Sequence, residues 1–184
     1  MTPGGLGLVV VSLIAIVFGV SCVGDDSEGS EGFERFEEDG IAVEYPSGWT
    51  RDEEREGGET GTILSVHGKP DRDGLFARLS VSRQEKEFAS AEQAGAVLAD
   101  LRPFQLNDGR AVSDGPATVE GSDGAWRVVT RYTLPLDDGE KVPGRSVEVV
   151  ALTADEQVIV TLAGPTRTME QLPVDRIVGS LELS

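Results

Sequence analysis

Between Arg110 and Ala163 the chain holds four stretches rich in β-branched residues: Arg110–Glu120, Ala125–Leu136, Arg145–Thr153 and Gln157–Ala163. Short polar segments at 121–124, 137–144 and 154–156 separate them. Branching at Cβ suits the pleated surface of a sheet and crowds a helix. A parallel strand pair needs a crossover of a dozen or more residues, and none of these links is that long. The four stretches are therefore expected to run antiparallel, as a meander.

Upstream, Asp39-Gly40 stands between Phe33–Glu37 and the alternating Ile41, Val43 and Tyr45, which is a hairpin signal. Pro46, Ser47 and Gly48 stop the second strand, and Trp49 is expected to fold back on the sheet as a core aromatic. Thr62–His67 and Leu75–Arg83 read as two further strands joined by the turn GKPDRDG. Ser90 is expected to cap a helix, with Gln93 three residues on to complete a capping box. Ala94, Val97, Leu98 and Leu101 form its apolar stripe, and Pro103 helps to end it. At the end of the chain Thr168 is expected to cap a terminal helix that buries Leu172, Ile177, Val178 and Leu181.

Of 184 residues, 39% are hydrophobic, enough for one domain with a true core once the N-terminal segment is set aside. Thirty-three Asp and Glu against sixteen Lys and Arg give a formal charge of -17, all of it after residue 24. Such a domain is expected to repel phosphate backbones and anionic lipid headgroups, which argues against nucleic acid as a partner. The plain account of this excess acid is solubility.

The first 24 residues carry no charged side chain. Leu8–Phe18 has the length of the apolar centre of a signal peptide, and small Gly19 and Ser21 precede Cys22 by three and one positions. Gly19-Val20-Ser21-Cys22 resembles the bacterial lipobox. That resemblance implies residues 1–21 as a removable signal peptide and Cys22 as the lipidated first residue. Cys22 is the single cysteine, so it has no intramolecular disulfide to form. Two alternatives stay open, because an 18-residue apolar stretch can also span a bilayer uncleaved or serve ordinary secretion. All three put the domain outside the cytoplasm, and the lipoprotein reading puts it on the outer face of the cell membrane. Residues 22–32 are rich in Gly, Ser and acid and read as a tether, about 17 Å in root-mean-square span for ten residues.

The opening strand pair with Gly40, Tyr45, Pro46 and Trp49, the mid-chain helix, the long meander and the closing Ile177, Ser180 and Leu181 together resemble the PsbP-like fold. Its bacterial lipoprotein branch, to which the mycobacterial LpqN-type lipoproteins are similar in plan, is the part it resembles. The resemblance covers about Phe33 to Leu183 of a domain spanning residues 33–184. It implies an α+β domain, a curved antiparallel sheet with helices on its faces, in a family whose members mostly bind other proteins. The expected function is therefore non-covalent binding of an envelope protein, with no catalytic residues.

The residues themselves agree with a non-enzyme. His67 is the single histidine, and no Gly-x-Ser-x-Gly elbow presents a nucleophile. One His and one lipid-committed Cys do not make a zinc site. Asp71 and Asp73 resemble the start of a calcium loop that lacks its remaining ligands, so neither metal nor cofactor is expected. Two other functions remain open: carriage of a small apolar or envelope-derived ligand in a pocket between sheet and helix, and hydrolysis by a carboxylate pair. An apolar cavity bordered by Trp49, Trp126 or Tyr132 distinguishes the first of these.

Overall fold

The computed structural model describes residues 32–56 and 61–184. Signal segment, Cys22 and nearly all of the tether lie outside them. Strands β1 (Phe33–Glu38) and β2 (Ile41–Pro46) form the expected hairpin, with Asp39 and Gly40 at φ 50° and 78°. Both turn residues take the left-handed conformation that a two-residue hairpin with the right strand twist requires.

A larger sheet follows from β3 (Thr50–Arg51), β4 (Thr62–His67), β5 (Arg78–Glu85), β6 (Arg110–Ala117), β7 (Gly124–Pro135), β8 (Lys141–Leu152) and β9 (Glu156–Pro165). Its order is β3-β4-β5-β9-β8-β7-β6, antiparallel throughout. The expected meander is β6 to β9, and β5 returns to pair with β9 at its far side. Strand β5 begins at Arg78 rather than Leu75; Leu75, Phe76 and Ala77 are buried and lead into it, the carbonyls of Leu75 and Ala77 accepting from the N–H groups of Asp71 and Gly68.

Helix α1 (Ala91–Gln105) packs over β6, β7 and β8 on one face of this sheet. Ser90 caps it, its Oγ accepting the N–H of Gln93 at 3.2 Å, while the Gln93 side chain accepts from Ala89 rather than from Ser90. Pro103 does not end the helix, which continues to Gln105. Proline costs the one N–H that would reach Ala99 O, while the next bond of the last turn, from the N–H of Leu106 to Arg102 O, is kept. Ala94 and Leu98 of the expected stripe pack on the sheet together with Ala91, Gly95 and Arg102, while Val97 and Leu101, partly buried, lie outside that cluster.

The C-terminal region is not one helix. Two short helices, α2 (Thr166–Met169) and α3 (Val174–Gly179), are separated by Pro173, which cannot continue a helix begun before it. Thr168 lies inside α2 and does not cap it. Leu181 then buries itself at the start of β10 (Glu182–Leu183), which pairs with β2. The order of this second, three-stranded sheet is β1-β2-β10. It packs with α3 against the face of the large sheet opposite α1, enclosing Val43, Leu79, Val147, Val160, Leu162 and Ile177. Strand β8 is covered on both sides and is buried from Ser146 to Leu152.

Candidate functional site

The alternation of β8 sends Val147, Val149 and Ala151 into the main core and Ser146, Glu148, Val150 and Leu152 toward α1. Glu148 thus sits 1% exposed beneath the helix. There it meets Arg102, 5% exposed, which faces the sheet because it falls four residues after Leu98 on the buried stripe. Arg102 donates through Nε to one carboxylate oxygen of Glu148 at 2.8 Å and through Nη2 to the other. Nη1 of Arg102 donates to Gln105, and the Thr161 hydroxyl on β9 donates to Glu148 at 3.4 Å. Neither residue was singled out by the sequence reading. The signals were present: a lone acid in the run Val147–Val150 and a lone cation on an apolar helix stripe.

Chemically this pair is closed. Both Glu148 oxygens accept from one guanidinium in fork geometry, and with both side chains buried the carboxylate is out of a substrate's reach. Nearby Tyr132 is 4% exposed, and burial, followed by the charge of Glu148, drives its phenol further above the usual range. The arrangement positions α1 and offers a substrate no access.

The residues named from sequence fall elsewhere. His67 ends β4 with Nδ1 3.0 Å from the carbonyl of Gly68 and its ring 4.5 Å from that of Phe76. A triad base holds Nδ1 on a carboxylate, and here a backbone carbonyl occupies it. Trp49 is half-buried over Gly68, a lid on the edge of the main core rather than its centre. Tyr45 donates to Glu34 at 3.1 Å, and Pro46 ends β2. Asp71 and Asp73 both accept from Arg167, at 2.7 and 2.9 Å, so these two acids close a loop onto α2. Burial pushes the Asp71 carboxyl up, yet Arg167 and the N–H groups of Asp73 and Leu75 prevail and hold it below the usual carboxylate range. Among the described residues no group of three or more His, Cys, Asp or Glu is placed to hold a metal ion.

Trp126 and Tyr132, the aromatics that would border an apolar pocket, instead seal it. Trp126 lies against Gly95 so closely that a Cβ there would stand 2.0 Å from Cδ1 of the indole. Its Nε1 donates to Asp114 at 3.3 Å. Tyr132 covers its cross-strand partner Gly144 in the same way, at 2.5 Å. A cavity of about 500 Å³ does open on the other face, between β6, β7, β8 and α2, and its walls combine polar Ser113, Arg127, Arg131, Arg145, Thr166 and Glu170 with apolar Val112, Pro116 and Val129. Beside it β6 is the free edge of the large sheet, and Val112 is the exposed large apolar side chain among the described residues.

No protein-family model matches the chain, and no curated protein matches it. Solved structures do. The solution structure of cyanobacterial PsbP from Synechocystis sp. PCC 6803 superimposes with a TM-score of 0.61 at 15% identity, covering 89% of this chain and 98% of that one. The fold is PsbP-like. A second structure, the Ran-binding protein Mog1p of Saccharomyces cerevisiae, matches this PsbP-like domain with a TM-score of 0.55 at 14% identity, covering 84% and 96% of the two chains. The expected hairpin, mid-chain helix and meander are all present in chain order, and the closing segment is two short helices and a strand. Among the described residues no helix is long and apolar enough to cross a membrane.

Proposed function

We propose that this protein is an extracytoplasmic lipoprotein, held at the outer face of the cell membrane by diacylglycerol on Cys22, whose PsbP-like domain binds an envelope protein without catalysing a reaction. The observation that carries the binding role is the fold: nearly the whole domain follows a plan that serves Mog1p as a Ran-binding protein. The closed Arg102–Glu148 pair and the His67 ring held on a backbone carbonyl support a domain without turnover. The anchor rests on the lipobox-like Gly19–Cys22 and the acidic tether to residue 32. Tethering confines domain and partner to a thin layer, so that a modest polar interface suffices.

A carrier of a small apolar ligand is the second reading. It finds less support, since such a ligand would have to displace Trp126 from Gly95 and Tyr132 from Gly144.

Cross-linking in intact cells with the wild-type protein as bait, beside a Cys22→Ser variant and a broad hydrolase screen, tests the proposal. The expected result is one recurrent envelope protein that also binds the purified domain, with Cys22→Ser moved to the soluble fraction or left uncleaved. A mature N-terminus other than acylated Cys22 would sink the anchor. Reproducible hydrolysis abolished by replacing His67 or a single acid would sink the binding role.

A further inference from the structure

In a chain with 33 acids and 16 cations, a cation ordinarily finds a carboxylate. Arg51 pairs with Glu56, Arg83 with Glu156, and Arg167 with two aspartates. Arg110, Arg131 and Arg145 are different. Among the described residues none of the three has a side-chain hydrogen bond or an ion pair.

These three are also aligned. Arg110 on β6 stands opposite Arg131 on β7, and Arg131 stands opposite Arg145 on β8. Cross-strand partners share a face with Cβ atoms about 5 Å apart, so three cationic stems rise side by side over roughly 10 Å. Like charges placed directly opposite are destabilising. The fold keeps this repulsive row unneutralised despite its surplus of carboxylates. Arg131 and Arg145 line the 500 Å³ cavity, and so does Arg127. Asp175 takes one nitrogen of Arg127 at 2.9 Å, while its Nε–H is buried with no acceptor among the described residues. Two acids border the cavity. Asp114 accepts from Trp126 on the α1 side of the sheet, which leaves Glu170 as the carboxylate near the row, beyond ion-pair distance of it.

We propose that this cavity binds phosphoryl oxyanions: a compact ligand carrying two or more phosphoryl groups, free or on a lipid headgroup. Guanidinium forks match such oxyanions in bidentate fashion, and Ser113 and Thr166 add hydroxyls to the wall. An acidic peptide fits less well. Same-face side chains of an extended peptide repeat at about 6.6 Å, longer than the pitch of the row. Strand addition along β6 is obstructed by the bulge between Ala111 and Ser113 and by Pro116, which has no N–H. The acidic remainder of the domain repels a long polyanion, so the site selects a short one.

The test is calorimetric titration of sodium pyrophosphate into the purified full-length chain at low ionic strength. Binding is expected, weakening as sodium chloride is added. Arg131→Gln and Arg145→Gln should each reduce it about tenfold or more, whereas Arg72→Gln, exposed and away from the cavity, should leave it unchanged. Without pyrophosphate, Arg131→Gln should melt at the same temperature as wild type or higher, because repulsion in the row is relieved. Capture on vesicles containing phosphatidylinositol 4-phosphate that pyrophosphate competes away identifies a headgroup as the source. Binding in solution without capture identifies a free phosphorylated ligand. Equal pyrophosphate affinity in wild type and both variants, no binding at millimolar concentration, or an Arg131-dependent acidic peptide that pyrophosphate does not displace would overturn the proposal. The site stands whether or not the domain also has a protein partner.

Discussion

At the residue scale the costliest interaction to disturb is the pair Arg102–Glu148. Taking two charges out of water costs several kcal/mol per ion, and their mutual attraction repays this only while both are present in good geometry. Arg102→Ala should therefore destabilise the domain by about 3–5 kcal/mol, since Glu148 is left buried and charged. The double replacement Arg102→Met, Glu148→Leu should recover most of that loss. Urea unfolding of the three variants checks it, and a double variant as unstable as Arg102→Ala would show that the pair contributes more than mutual compensation. Trp49, expected in the core, behaves differently because it is only partly buried, packed over Gly68 at the edge of the main core. Its truncation should cost less than the burial of a whole indole would predict.

At the scale of elements, α1 is seated by a glycine. Gly95 occupies a helix interior where alanine would improve propensity by about 1 kcal/mol. The same Cβ would meet the Trp126 ring at 2.0 Å, and overpacking of that kind costs about 1–3 kcal/mol. The clash should win, so Gly95→Ala is expected to lower the thermal midpoint and shift the tryptophan fluorescence as Trp126 is pushed off Asp114. A raised midpoint would show that the indole swings aside freely. Most elements were readable from pattern: alternation and turn residues located the hairpin and the meander, and Ser90 announced its helix. The pattern failed where two local rules compete. Pro103 obeys the geometry of a last helical turn instead of ending the helix, and Leu181 serves as apolar padding before a strand instead of extending a helical stripe.

At the scale of the molecule, the two sheets are joined by the last few residues. Leu181 and Leu183 are 1% and 6% exposed, β10 pairs with β2, and Ser184 donates its N–H to Gly40 at 2.8 Å. Leu183 also donates to Glu120, and its carbonyl sits where a side chain on Gly121 would go. That close approach requires glycine, whose φ there is 78°. Deleting residues 181–184 removes two buried leucines at about 1.5–3 kcal/mol each and frees one edge of β2. A single, cooperative unfolding transition at a much lower urea midpoint is expected. An unchanged midpoint would show that the small sheet is held by α3 alone.

Sequence by itself determined the fold class, the strand-turn alternation, the helix start and the excess of acid, because each follows from contacts within a few residues or from composition. The lipobox-like segment is local in the same sense. The candidate site was not legible, and the reason is its range. Arg110, Arg131 and Arg145 become neighbours only through the registers of two strand pairs. Arg102 and Glu148 meet across 46 positions. Whether a charge is buried and paired or left without a partner depends on which strand lies beside which and which face a helix covers. Pairing across a sheet decides that, and no spacing along the chain records it.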